Sequence, residues 1–564
     1  MRRRELGSAL LAMLCVATAL AAPRPRRPSA RDLPTGCSFA ADSTVLASCG
    51  EFEGGALDLT SCGLTGVSAT AFWNLTSLFA LLLQSNALPG LPPGVFSRCG
   101  GLRQLSLANN LLTNVSGLLT NLSNLAVLDV RENRIARLAA ADFGPLTALS
   151  QLDARENCIV EVEWGAFSNA SVLEVLYLSS NNITALPAGL FANASALRSL
   201  DLSGNELTAV EEGLLRGLGS LTSLGLASNK ISFVADGALA TSTPRLNALD
   251  LRFNALAAIG PSAVANLTGL YELWLEGNAI LQVDARAFVG LTALQTMTLS
   301  DNLLTGLPAG VFDDLRDNYF LYLDGNEFGD LSGGVLRGMR RLMQLDLGYN
   351  FLTSVPPLSG LPALATLTLT GNRITALAPG DIPYSTCMGC AACSFAMLMA
   401  DARAFCASGG AALSAELPRA AVSTLGLSSN LIARVSPGLN MTSLRSIDLT
   451  DNLVADIVPG SFAGAMRLLS LTLEENLLAS LAPGAFAGAT SLQRLSLSGN
   501  LLGAVPLGLG GDLPALDTLD VSFNLLSGDF PADLCTMVSL RCAIWGGGAE
   551  AACSPTCARG APGF

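Results

Sequence analysis

A short phrase returns through this chain at nearly constant spacing: LSSNNITAL at 178–186, LSGNELTAV at 202–210 and LASNKISFV at 226–234. The shared slot is L-x-x-L-x-L-x-x-N-x-L. Its asparagines are Asn86, Asn110, Asn133, Asn157, Asn181, Asn205, Asn229, Asn254, Asn278, Asn302, Asn326, Asn350 and Asn372, then Asn430, Asn452, Asn476, Asn500 and Asn524; Cys62 fills the slot in the first copy, LDLTSCGL. The result is 19 copies, mostly 24 residues apart, in a chain of 564 residues. One such phrase cannot cover its own leucines, so the copies must stack, each sheltering the next. The L-x-L core predicts a short strand with leucines inward and the residues between them outward. Where the strand ends, the chain turns and leaves interior backbone groups without partners. An asparagine amide has the two donors and the acceptor that such groups need, so the buried side chains are expected to form a ladder.

A second series follows ten residues after the ladder: Phe72, Phe96, Phe143, Phe167, Phe191, Phe288, Phe312, Phe462 and Phe486. These rings are expected to stack as core. The Pro- and Gly-bearing phrases around them, such as LPAGLFANASAL at 186–197, suit short turns or loose helix.

In its L-x-x-L-x-L-x-x-N-x-L phrases the chain resembles the extracellular leucine-rich repeat family, over roughly 57–374 and 422–526. The resemblance implies an α/β solenoid, a leucine-rich repeat horseshoe with a parallel concave sheet of about 19 strands, short convex segments and cysteine-bearing caps. At about 4.8 Å per strand the concave arc would be on the order of 90 Å, a surface for a macromolecule rather than a small metabolite.

The ends and one interruption divide the chain. Residues 1–21 read as a signal peptide: Arg2, Arg3 and Arg4, an apolar run from Leu6 to Leu20, and Ala19-Leu20-Ala21 as the cleavage pattern, with a signal anchor as the alternative. A basic linker follows at 22–36, in which Arg24-Pro25-Arg26-Arg27 has the form of a proprotein-convertase site with Pro28 behind it. An N-terminal cap is expected at 37–56, closed by Cys37 and Cys49, with Cys62 an open alternative partner; the resemblance implies four cysteines there, a pattern this cap lacks. The first repeat block is 57–374. A cysteine-rich insertion, 375–421, carries Cys387, Cys390, Cys393 and Cys406; two disulfides are expected there, against a four-thiolate metal site. The second block is 422–526. A C-terminal cap at 527–564 gathers Cys535, Cys542, Cys553 and Cys557, expected as two disulfides of open pairing. Cys99 is expected buried and unbridged, and Cys158, beside a ladder position, at least partly exposed.

Composition limits function. Net charge is −13 and falls to about −15 once the signal is removed, which argues against nucleic acid as partner. The absence of histidine removes the commonest general base and metal ligand. No glycine-rich phosphate loop is present, and the carboxylate pairs Glu211-Glu212 and Glu474-Glu475 sit at repeated surface positions. No enzyme activity and no cofactor are expected. Sequons begin at Asn74, Asn114, Asn121, Asn169, Asn182, Asn193, Asn266 and Asn440, none on the ladder. No segment after the signal is apolar enough to span a bilayer, and the last residues, CARGAPGF, form no lipid-anchor signal. The chain is therefore expected to be secreted.

The resemblance implies extracellular recognition of a protein or glycan ligand through the concave face, in adhesion, matrix or signalling. The first alternative is the ectodomain of a receptor whose membrane part lies outside this sequence; the second is an inhibitor of a secreted hydrolase, which the plant-like phrase LLSGDFPADLC favours. On the outward slots most repeats carry Ser, Thr, Gly or Asp, but the central ones carry Phe253, Trp274, Phe320, Tyr322 and Tyr349, framed by Asp250, Arg252, Glu272, Glu276, Asp324 and Asp346; Tyr177 lies apart. Clustered aromatics on a water-facing sheet need a reason, and Trp and Tyr are enriched at binding hot spots. Trp274 and Tyr322 are expected to anchor the ligand, the acidic rim favouring a basic partner. Packing of the rings on one another or under the insertion is the alternative.

Overall fold

A computed structural model describes residues 33–41, 43–50, 55–331, 334–358, 360–376, 422–437, 441–505, 508–527, 534 and 537–544. The chain divides into two compact units, 1–294 and 295–564.

In the first unit ten short strands, from Ala56–Asp58 to Glu272–Trp274, pair in parallel, each with the strand of the next repeat. The register never slips. Leu57 faces Leu81, Leu128 faces Leu152, and Leu249 faces Leu273. One physical reason suffices: a slip of one residue would turn the central leucine of every strand to water, and these leucines are almost fully buried. The second unit repeats the arrangement from Thr296–Thr298 onward. Its tenth strand, Cys542–Ile544, pairs in parallel with Thr518–Asp520. That strand lies inside the expected C-terminal cap and carries no copy of the repeat phrase.

The interruption leaves no mark on the sheet. Strand Thr366–Thr368 pairs directly with Thr424–Gly426, Leu367 opposite Leu425. The ladder steps across too: Asn430 Nδ2 donates to Leu369 O at 2.9 Å, and Ile374 N–H donates to Asn430 Oδ1 at 3.1 Å. The insertion thus joins two adjacent repeats and adds no strand between them. Cys387, Cys390, Cys393 and Cys406, and with them the choice between disulfides and metal, lie outside the described residues.

The asparagine ladder has the expected chemistry. Asn278, 5% exposed, accepts from Leu256 N–H at 3.1 Å and donates to Leu251 O at 2.9 Å and Leu275 O at 3.0 Å. One side chain therefore ties the turn of its own repeat to the turn before it. Asn110, Asn205, Asn452 and Asn476 make the same set of bonds. At Cys62 a thiol donates to Thr60 O at 3.7 Å instead.

The phenylalanine series is buried and stacks: Phe72 on Phe96 at 5.7 Å, Phe167 on Phe191 at 6.1 Å and Phe462 beside Phe486 at 5.6 Å between ring centres. Between strand and phenylalanine, two-residue strands form small parallel pairs that periodicity did not announce, such as Ala209–Val210 with Phe233–Val234 and Arg434–Val435 with Asp456–Ile457. The described helices are single turns, Ala140–Phe143 and Leu509–Asp512. At the N-terminal end Cys37–Phe39 runs antiparallel to Val45–Cys49, and a disulfide joins Cys37 to Cys49. Cys542 is also disulfide-bonded. Cys535, Cys553 and Cys557 lie outside the described residues.

One core position breaks the pattern. Asn318 stands where the following repeats have Leu342 and Leu364. It is fully buried, and neither amide atom meets a hydrogen-bond partner among the described residues.

Candidate binding face

The outward slots are shaped by two local rules. The first governs the residue before each ladder position. It adopts positive φ in all 19 repeats, from Ser61 at 56° to Phe523 at 51°. Glycine suits this left-handed conformation best, and Gly204, Gly277, Gly325, Gly371 and Gly499 supply it. Phe253 (φ 55°) and Tyr349 (φ 51°) hold it against their own preference, at roughly 1–2 kcal/mol for a residue with a Cβ. The second rule concerns aspartate at the centre of the strand's outward side. Its carboxylate accepts the backbone N–H two residues on, as at Asp201 to Ser203 (3.0 Å), Asp250 to Arg252 (3.0 Å), Asp346 to Gly348 (2.9 Å) and Asp448 to Thr450 (3.0 Å). Aspartate here closes a turn, whatever else it does.

In the first unit the strand aromatics are roofed. The Arg252 guanidinium grips Asp250 through two bonds, 3.0 and 2.7 Å, and lies 5.5 Å from the centre of the Trp274 ring. The same device recurs where Arg155 grips Asp153 at 3.0 and 2.6 Å and covers Tyr177 at 4.9 Å. Of the expected ligand-binding residues in this unit, Asp250 and Arg252 thus engage each other, and Trp274 has an intramolecular cation on it. Glu272 is exposed and Glu276 half-buried. Phe253 is 44% exposed.

In the second unit Tyr349 and Phe320 are open, and Tyr322 is half-buried. Tyr349 is 66% exposed. Its neighbours in the positive-φ column are glycines, Gly325 and Gly371, and a Cβ at Gly371 would come within 2.6 Å of Tyr349 Cδ1. The ring therefore rests on the bare backbone of Gly371. Phe320 is 37% exposed and lies 6.4 Å from Tyr319 between ring centres. Tyr322 stands opposite Asp346 in the parallel register. Burial raises the Tyr322 phenol above its usual range, with Asp346 and Asp324 adding to the effect, so it stays a neutral donor. Burial raises the Asp346 carboxyl too; the bond from Gly348 N–H opposes this and Asp324 reinforces it. Asp324 accepts from Ser300 Oγ at 2.5 Å. Beyond this cluster the outward slots fill with hydroxyls: Thr366, Thr368 and Thr370, then Thr424 and Ser428. Thr370 and Ser428 hydroxyls meet at 3.0 Å, Ser498 and Ser522 at 2.9 Å.

The expected site residues therefore fall into two sets, Asp250, Arg252, Phe253, Glu272, Trp274 and Glu276 in one unit and Phe320, Tyr322, Asp324, Asp346 and Tyr349 in the other. Sequence reasoning missed Gly371 and Ser300, which position Tyr349 and Asp324; the glycines recurring before the ladder asparagines were the available signal. Asn74, Asn114, Asn121, Asn169, Asn193 and Asn266 are exposed, Asn182 is half-buried, and Asn440 lies outside the described residues. The Cys99 thiol is buried, which pushes its pKa up to about 11, while Cys158 is half-buried. Among the described residues no cluster of metal-ligating side chains occurs, and no helix is long and apolar enough to cross a membrane.

Comparisons with known proteins agree with this architecture. No curated protein matches the chain by sequence. Among solved structures, YopM from Yersinia enterocolitica WA-314 aligns with a TM-score of 0.53 at 21% identity, covering 87% of this chain and 91% of that one, a likeness of fold. A leucine-rich repeat protein of Leptospira interrogans aligns at 0.47 with 22% identity, covering 86% and 94%. TLR13 in its complex with ssRNA13 aligns at 0.42 with 21% identity, covering 90% and 74%. The leucine rich repeat family model matches at 56–112, 102–159, 155–207, 171–231, 219–280, 244–304, 268–328, 319–374, 442–502 and 466–526. With most of its length matched and an asparagine ladder running through each unit, the chain belongs to the leucine-rich repeat family.

Proposed function

We propose that the protein is an exported, non-enzymatic recognition protein that binds an extracellular protein or glycan on the outward face of its strands. One observation carries this reading: Tyr349 holds a bulky ring in a backbone conformation that costs stability, and leaves it two-thirds exposed. A side chain held in strained backbone with most of its surface in water is kept for what it touches outside the molecule. Phe320 and Tyr322 share its unit. The solenoid is a scaffold for interaction, and its acidic outward slots would repel nucleic acid. The exposed sequons suit export.

A capture experiment tests this. Immobilised wild-type protein and a Tyr322→Ala, Tyr349→Ala double variant are incubated with extracellular fluid or cell surfaces from the source. The wild type should retain a partner that the variant loses. Equal recovery by both would place recognition elsewhere.

A further inference from the structure

The second unit bears a ligand class in its own composition. Its outward slots combine three features: an open aromatic ring, carboxylates, and a field of hydroxyls. Tyr349 offers one flat face to solvent because the other rests on Gly371. Tyr322 and Asp346 face each other in register, and the column runs on through Thr368 and Gly426 to Asp448. Strands lie about 4.8 Å apart, so Tyr322, Asp346 and Thr368 follow one another at a fixed short interval, and Asp448 resumes the row after Gly426. The chain's one lysine, Lys230, lies in the other unit.

Each feature narrows the choice. An exposed tyrosine face stacks on an apolar ring face. Carboxylates accept hydrogen bonds from hydroxyls and repel anions. Serine and threonine hydroxyls both donate and accept, so a row of them matches a ligand that is itself a row of hydroxyls. Asp324 and Asp346 each accept one bond within the protein, from Ser300 and Gly348, and keep further lone pairs for a ligand hydroxyl. A protein surface does not repeat at the strand interval, whereas a linear sugar polymer is periodic along its length.

We propose that the face running from Tyr349 and Tyr322 along the hydroxyl field binds an uncharged linear polysaccharide, a sugar ring stacking on Tyr349. This rests on the recognition reading above and narrows its ligand.

The test is binding of full-length protein to an array of linear glucans, mannans, xylans and galactans, with a polyuronate and a sulfated galactan as charged probes. Wild type should bind at least one uncharged polymer and neither charged one. Tyr349→Ala should weaken that binding at least tenfold. Tyr349→Phe should retain it, since the ring face remains. Gly371→Ala, which crowds the ring, should weaken it, and Trp274→Ala should leave it unchanged. Binding to no uncharged polymer would overturn the proposal; if strand-face variants still lose a captured protein partner, only the ligand class falls. Polysaccharide binding that survives Tyr349→Ala and the Tyr322→Ala, Tyr349→Ala double variant would remove the site itself, and the recognition reading with it.

Discussion

The two units follow the same repeat grammar and use aromatic residues on it in opposite ways. In the first, Tyr177 and Trp274 stand at the last residue of their strands under an arginine that the neighbouring aspartate holds in place. Ring, cation and carboxylate satisfy one another, and little is left for a partner. In the second, Tyr349 stands one step before the ladder, in strained backbone, with glycines on either side and no arginine over it among the described contacts. The lesson concerns how exposed aromatics are weighed. Residue type alone nominates Trp274 with Tyr322 as anchors and leaves Tyr349 as a neighbour; the intramolecular partner separates Trp274 from Tyr349. The expectation that Trp274 anchors a ligand therefore gives way to a proposal centred on Tyr349 and Tyr322.

The strongest way to break this account lies in the ladder, which both units share. Asn278→Ala leaves Leu256 N–H without its acceptor and takes one amide donor from Leu251 O, which keeps Asn254, at about 1–3 kcal/mol for the buried group left unpaired. Asn193, exposed and bonded only to Ser168 O among the described contacts, should lose far less on Asn193→Ala when glycan-free proteins are compared. Denaturant midpoints that shift equally would end the ladder argument. Next in size is the flaw at Asn318. Asn318→Leu removes two orphaned polar atoms from a leucine slot and should raise stability by about 1–3 kcal/mol; a lowered melting temperature would show that the amide has a partner.

A smaller effect sharpens the contrast itself. Tyr349→Gly relieves the left-handed strain and exposes no core, so it should raise stability by about 0.5–1 kcal/mol while abolishing binding. Phe253→Gly should give a similar gain. Loss of stability in both would mean the rings pack rather than wait for a ligand. Smallest is a pH effect at Asp346. Its carboxyl titrates above the ordinary range. The stability of the protonated form is thus complete below that range and lost as pH rises through the raised value. Asp346→Asn keeps the acceptor for Gly348 N–H and removes the charge. Its melting temperature should exceed that of wild type at neutral pH, and the gap should close in acid. A gap that widens in acid would reverse the sign of the argument.

Much of this was legible because the repeat announces itself. Leucine spacing fixed which side chain of each strand points inward, and the asparagine slot fixed where the turn needs a buried amide. The stacked phenylalanines followed from the same period. The rest was hidden for local reasons. Strand Cys542–Ile544 has no leucine phrase and exists because the preceding strand offers an unpaired edge. The small flanking strands are two residues long, too short to show alternation. The left-handed slot is disguised by serine, glutamate and aspartate, which together fill it in ten repeats against five for glycine. The arginine roofs depend on side-chain reach across neighbouring repeats, which spacing alone does not reveal.

The most direct measurement compares the two aromatics in one titration. With the partner retained in the capture experiment, affinity and melting temperature are measured for wild type, Tyr349→Ala and Trp274→Ala. The account predicts that Tyr349→Ala raises Kd about 30-fold or more, equivalent to about 2 kcal/mol, without lowering the melting temperature. Trp274→Ala should leave Kd alone and cost about 0.5–1 kcal/mol of stability as the Arg252 contact is lost. A Kd that moves with Trp274 and ignores Tyr349 would contradict it.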